Sequence, residues 1–207
     1  MTTTGSDAVS PHENASRFRG DPAFLRTERL VLRRFTEADA GHLIELDADP
    51  EVMRFINGGR PTPPEVVRDE VLPAILAGYR RHPGFGTWAA VERSGGAFVG
   101  WFGFHPVDGR PPDEVELGYR LRRQFWGRGY ATEGSHALIR LGFTELGVRR
   151  VFATTMTVNA ASRRVMEKLG LRFVRTFFEE WPEYIDGAEH GDVEYELLCS
   201  SWLIDQR

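Results

Sequence analysis

One short segment, Gln124-Phe125-Trp126-Gly127-Arg128-Gly129-Tyr130-Ala131, separates two hydrophobic periods in this chain. Ahead of it, apolar residues come in short strand-like blocks. Behind it, Tyr130 to Leu146 repeats at helical spacing through Ala137, Leu138 and Leu141. A strand that turns through two glycines into a helix constrains the fold strongly. Glycine admits positive φ and lets the backbone approach a ligand closely. The first N–H groups of the helix lack intrahelical partners and suit an anion. Arg120, Arg122, Arg123 and Arg128 crowd the same place. The segment therefore suits a phosphate or pyrophosphate, although a glycine-containing turn with a solvated arginine face reads the same way. A dinucleotide fingerprint would need glycine where Thr132 stands. A P-loop would need a lysine, and Lys168 is the only one in the chain.

The pattern around this turn predicts a mixed α/β (α+β) domain with antiparallel and parallel pairings. A strand is expected over Thr27 to Phe35. Thr36 then caps a helix carrying Leu43, Ile44 and Leu46. Asp49-Pro50 opens a second short helix that ends at Asn57-Gly58-Gly59. Thr62-Pro63-Pro64 opens a third, running to about Arg81, which Pro73 should kink or divide. Gly86–Glu92, Phe98–Val107 and Glu114–Leu121 read as an antiparallel meander. After the glycine turn come a helix, a strand over Arg150–Met156, a helix over Ala160–Leu169, and strands over Leu171–Phe178 and Val193–Cys199. The expected core is a central mixed sheet of about seven strands with flanking helices. Residues 1–22 are polar and predicted to be a flexible tail, leaving 23–207 as a single domain.

Composition narrows the function. The chain has 207 residues, 41% of them apolar and 27% charged, in keeping with one soluble domain. A net charge of -4 argues against a basic nucleic-acid binder. The single cysteine, Cys199, excludes a disulfide framework and reads as a buried, inert thiol. Six scattered histidines, His136 among them, show no ligand spacing, so no metal is expected. No Gly-x-Ser-x-Gly elbow suggests a hydrolase. A polar N-terminus and no bilayer-length apolar run predict a cytoplasmic protein without membrane contact.

Three motifs together make the chemistry more specific: Glu116-Leu117-Gly118-Tyr119-Arg120-Leu121, then Gln124-x-x-Gly127-x-Gly129, then Asn159-Ala160-Ala161-Ser162 followed by Val165 to Leu171. In this order and spacing they resemble the GNAT superfamily of acyl-CoA-dependent N-acetyltransferases. The branch they are most similar to holds the ribosomal-protein N-terminal (RimJ/RimL-type) enzymes. The resemblance runs from about Leu25 to Trp202. It implies a GNAT-like fold and acetyl-CoA as cosubstrate. Backbone amides over Gln124, Trp126, Gly127, Arg128, Gly129, Tyr130 and Ala131, with Arg122 nearby, would cradle the pyrophosphate of coenzyme A. The sheet would splay after Glu114–Leu121, with backbone near Tyr119 and Leu121 bonding the pantetheine arm. Asn159 would bond that arm from the other side, although a short polar residue before a helix is also a routine cap. Ser162 stands where the family places a general acid for the leaving thiolate, and its other reading is a backbone-satisfied helix serine. Many members use a tyrosine farther along that helix, where this chain has none. Glu116 is the candidate base, or else an exposed strand carboxylate. Glu133 suits the helix dipole and is given no catalytic role.

The acceptor is expected to be an amine. Eight acids lie between Glu179 and Glu196 with no lysine or arginine among them. They read as a solvated loop, or as a funnel for a cationic amine such as a peptide N-terminus, a polyamine or an aminoglycoside. The function expected is acetyl transfer to a primary amine by direct attack in a ternary complex. The alternative is a non-catalytic acyl-CoA-binding module of the same fold. Phe177 and Phe178 near the last strands make a homodimer surface conceivable.

Overall fold

The computed structural model describes residues 23–179 and 184–205. The expected tail over residues 1–22 lies outside them. Eight strands form one sheet in the order β1-β2-β3-β4-β5-β6-β8-β7. They are β1 (Ala23–Arg26), β2 (Leu30–Arg34), β3 (Gly86–Glu92), β4 (Phe98–Pro106), β5 (Glu114–Leu121), β6 (Arg150–Met156), β7 (Arg172–Phe177) and β8 (Asp192–Leu198). Every pairing is antiparallel except β5 with β6. The eighth strand corrects the sequence reading. The strand expected over Thr27–Phe35 is present as β2, and the added strand is β1 just before it: the chain reverses after Arg26, where the amide of Thr27 donates to the carbonyl of Leu30, and β1 pairs with β2.

Helices cover both faces of the sheet. On one lie α1 (Ala40–Asp47) and α2 (Pro50–Asn57), with Phe35, Leu43, Leu46, Val52, Val67, Ala89 and Phe98 buried between them and the strands. Thr36 caps this region through Asp39, and Gly58 ends α2 in the left-handed conformation, both as expected. The helix expected from Pro64 begins with one turn, passes through π-helical Val67–Val71 and continues as α3 (Leu72–Arg81). Pro73 stands just past the π-helical turn, whose altered register accommodates a residue that cannot donate to the preceding turn, so the helix continues past it.

The opposite face carries α4 (Tyr130–Glu145) and α5 (Ala160–Lys168) over Trp88, Phe102, Phe104, Val115, Leu117, Val151 and Tyr195. Two glycines about two turns apart let α4 lie directly on the sheet. A Cβ at Gly134 would stand 2.4 Å from the Phe102 ring, and one at Gly142 would stand 2.7 Å from the Phe104 ring. The last element, α6 (Cys199–Asp205), was not expected from the sequence. The apolar run over Leu197–Leu203 reads equally well as strand or helix. Cys199 opens that helix half-buried rather than fully enclosed, a correction to the buried-thiol reading. Among the described residues no helix is long and apolar enough to cross a membrane.

The acidic stretch also differs from its reading as a single funnel. Glu194 is 2% exposed and meets three arginines: Arg150 at 2.7 Å, Arg175 at 2.8 Å and Arg110 at 3.3 Å. Glu196 bonds Arg150 as well, at 2.7 Å. These two acids are spent inside the fold, on bases distant in sequence. Glu180 and Glu183 lie outside the described residues.

Burial works against the charge on Glu194, but the three guanidinium groups hold its pKa down to about 2. A depressed carboxylate contributes stability above its unfolded pKa, near 4.3, that is lost as pH falls through the folded value. Glu194→Gln should therefore cost about 3 kcal/mol at neutral pH by removing the buried charge that Arg110, Arg150 and Arg175 share, although Arg150 keeps Glu114 and Glu196. In urea titrations the gap between wild type and variant should close as pH falls from about 4.3 toward about 2.

Candidate active site

The sheet opens where its one parallel pair ends. β5 and β6 are in register over only three pairs, Glu114 with Arg150, Val115 with Val151 and Glu116 with Phe152. β5 then runs on to Leu121 bonded only to β4, while β6 runs on to Met156 bonded only to β8. Arg150 braces the closed end with a 2.7 Å ion pair to Glu114. The far end of β5 is pressed onto β4. Gly100 there has φ of 147°, and a Cβ would stand 2.2 Å from the carbonyl of Arg120, so only glycine permits that approach.

A cavity of about 860 Å³ fills the opening. Its walls include Leu117 to Leu121 of β5, Thr154 to Met156 of β6, the loop residues Trp126, Gly127 and Gly129, the first turn of α4, and Asn159, Ser162 and Val165. It reaches both faces of the sheet, since Trp101, Phe55, Glu51, Phe177, Glu179 and Asp192 complete it on the side away from α4 and α5.

Among the expected coenzyme ligands, Tyr119, Leu121, Trp126, Gly127, Gly129, Tyr130, Ala131 and Asn159 meet at this cavity, together with Ser162, the candidate general acid. Arg122, Gln124 and Arg128 do not line it. Arg122 is ion-paired with Glu45, and it shares a separate hollow of about 370 Å³ with Gln124. Arg128 lays its guanidinium over Phe125. Trp126 donates from its indole to the carbonyl of Leu121 at 2.8 Å, fixing the strand to the loop.

The backbone of the loop has features that suit an anion. Gly127 and Gly129 have φ of 72° and 81°. No side chain caps the start of α4, so its first amides are left for a ligand. A Cβ at Gly127 would meet nothing within 4 Å, so this side of the loop is open. From behind, Arg29 donates to the carbonyl of Arg128 at 2.8 Å and lies over the Tyr130 ring. Glu133 holds Arg29 by a 2.6 Å ion pair and accepts from Thr27 and from the Arg29 amide. Burial alone would raise the pKa of Glu133, but these bonds hold it below the ordinary carboxylate value. Its role is to clamp the loop to the start of the sheet. A sequence separation of over 100 residues hid this pairing, and only the acid in the first turn was visible.

Ser162 and Asn159 sit at the N-terminus of α5. Asn159 accepts from the Ser162 amide at 3.2 Å and donates to Thr155 Oγ1 at 3.1 Å, so it is a helix cap that also lines the cavity. The hydroxyl of Tyr119 lies 3.0 Å from Ser162 Oγ. Glu116 does not line the cavity. It accepts at 3.1 Å from the hydroxyl of Thr154, which does.

Comparison with known proteins decides the family. Residues 29–172 match the family model described as acetyltransferase (GNAT) domain. The chain belongs to the GNAT acetyltransferase family. It is an acetyl-CoA-dependent N-acetyltransferase. An Aspergillus fumigatus relative, FsC-acetyl coenzyme A-N(2)-transacetylase, is 38% identical over 190 residues, spanning 88% of this chain and 79% of its own. The acetyltransferase (GNAT family) of Bacillus anthracis superposes with a TM-score of 0.68 at 26% identity, over 85% of this chain and 98% of its own. RimL, a ribosomal L7/L12 alpha-N-protein acetyltransferase solved with coenzyme A, shares the fold at a TM-score of 0.69 and 19% identity, over 85% of this chain and 97% of its own.

In this acetyltransferase, Gly127→Asp has room for its side chain but must hold a φ of 72°, which strains an L residue, so a thermal melt should first show that the variant is folded. It should weaken coenzyme A binding at least tenfold, about 1.4 kcal/mol, by placing a carboxylate at the anion cradle. Calorimetric affinity equal to wild type would remove the cradle from this loop. Glu133→Ala, which frees Arg29, should also raise the KM for acetyl-CoA while leaving kcat within about twofold.

Proposed function

We propose that the protein transfers acetyl from acetyl-CoA to a primary amine by direct attack in a ternary complex. The observation that carries this reading is the cavity with walls on both faces of the sheet. A thioester arm laid between β5 and β6 from the α4–α5 side leaves the opposite mouth open to an amine. Both reactants then reach one carbon together, without a covalent enzyme intermediate.

Backbone groups over Leu117–Leu121 that β6 does not pair would bond the pantetheine as an added strand. Asn159 would steady the arm from α5, and Ser162 would protonate the leaving thiolate. Glu116 would receive the proton of the amine by way of Thr154, whose hydroxyl touches both the cavity and the carboxylate.

The acceptor is a cationic amine in this reading. With Glu194 and Glu196 engaged by arginine, the acids that line the mouth are Glu51, Glu179 and Asp192. Trp101, Phe55 and Phe177 add apolar wall beside them. The relative at 38% identity is named for transfer to an N(2) nitrogen, which supports placing small molecules with such an amine first in an acceptor screen, ahead of peptide N-termini.

Neutralising Glu51 and Glu179 together should lower kcat/KM for the amine several-fold at low salt, with acetyl-CoA affinity unchanged or slightly higher. Salt at physiological strength should shrink the difference, because exposed charges are screened over about 8 Å. A kcat/KM for the amine that equals wild type at low salt would deny these acids a part in capture.

A further inference from the structure

We propose that Tyr119 is a positioning residue that acts through Ser162, turning the serine proton toward the sulphur that leaves the acetyl group. The argument begins with the hydrogen count. Tyr119 projects from β5 across the opening to α5, where its oxygen lies 3.0 Å from Ser162 Oγ and 3.2 Å from the Ser162 carbonyl. A phenol has one proton to give, and a serine hydroxyl has one. In one arrangement Tyr119 donates to the carbonyl and Ser162 donates to Tyr119, so no proton is left for sulphur. In the other Tyr119 donates to Oγ, and the serine proton is free to point into the cavity that both residues line. The carbonyl does not need Tyr119, because it lies inside α5 and the amide four residues on serves it. A sulphur carrying negative charge in the cavity favours the second arrangement, since a hydrogen bond to a charged acceptor is roughly twice as strong as a neutral one.

The step balances. The amine nitrogen bonds the acetyl carbon, and the C–S bond breaks with its electron pair going to sulphur. Sulphur takes the proton of Ser162 Oγ while Tyr119 donates to that oxygen and steadies its developing charge. The proton shed by the new amide nitrogen passes to Glu116 by way of Thr154 and on to solvent, and solvent returns a proton to Oγ. Burial pushes the Tyr119 hydroxyl up to about 12, against the opposing bond to Ser162. It therefore stays protonated, and remains a donor, throughout the neutral range. This chain has no tyrosine farther along the helix and brings two hydroxyls together instead, one from β5 and one from α5.

The proposal rests on coenzyme A occupying the β5–β6 opening, and its test needs no acceptor. Coenzyme A itself is bound to wild type, Tyr119→Phe, Ser162→Ala and the double variant, with saturation checked by calorimetry. Its thiol is titrated by the ultraviolet absorbance of the thiolate, against the same protein without coenzyme A to subtract Cys199 and the tyrosines. A donor aimed at sulphur stabilises the thiolate, so the wild-type complex should show the lowest thiol pKa. Tyr119→Phe should lower the thiolate fraction at fixed pH about threefold or more. Ser162→Ala should lower it at least as much, and adding Tyr119→Phe to Ser162→Ala should change nothing further. Independent shifts from the two substitutions, or no shift from Tyr119→Phe, would overturn the positioning role while leaving coenzyme A in its site. Failure of wild type to bind coenzyme A would overturn the site and this proposal together.

Discussion

Three register pairs between β5 and β6 are the constraint on which the site depends. Had the parallel pairing continued, the groups over Leu117–Leu121 would have found partners on β6, and no room would remain for a ligand. Because it stops, part of the backbone on each arm faces a cavity, and such groups need an outside partner. The fold keeps the opening from collapsing. Arg150 ties β6 to Glu114 on β5 and to Glu194 and Glu196 on β8 at the closed end, while Gly100 brings β4 against the far end of β5. Clamped at its base and bent at its tip, β5 cannot zip onto β6.

The charges divide by task. Glu194 sits beneath arginines from three places in the chain and serves the sheet. Glu133 and Arg29 serve the glycine loop from behind. Arg120, expected from the sequence beside the phosphate cluster, instead pairs with Asp47 at 2.6 Å and lies over Trp101, on the face away from α4 and α5. The arginines near the loop therefore do not form one anion site. In the proposed reading, anion recognition falls to backbone amides, which hold their positions without the entropy loss of ordering long side chains.

The parts of this organisation that were legible in the sequence are those written in local chemistry. The meander, the glycine turn, the N-cap at Asn159 and the left-handed stop at Gly58 each follow from a few adjacent residues. The parts that were not legible depend on partners far along the chain. Nothing near Glu194 announces Arg110, 84 residues away. Nothing near Tyr119 announces that its hydroxyl would meet Ser162, because alternation gives only its face of the strand. Strand β1 is not legible because Ala23–Arg26 is four residues long, too short for an alternation to show, and directly follows the polar N-terminal segment. The C-terminal helix was missed because a short apolar run has no period long enough to separate the two structures.

Amide hydrogen exchange with and without coenzyme A tests the central claim most directly. If the ligand completes the opened sheet, protection should rise over Leu117–Leu121, over Gly127–Thr132 and at the start of α5. It should change little over β2 and β3, whose amides are already paired. Protection confined to the hollow between Glu45, Asp49 and Arg123, with β5 unaffected, would contradict the account and place coenzyme A outside the β5–β6 opening.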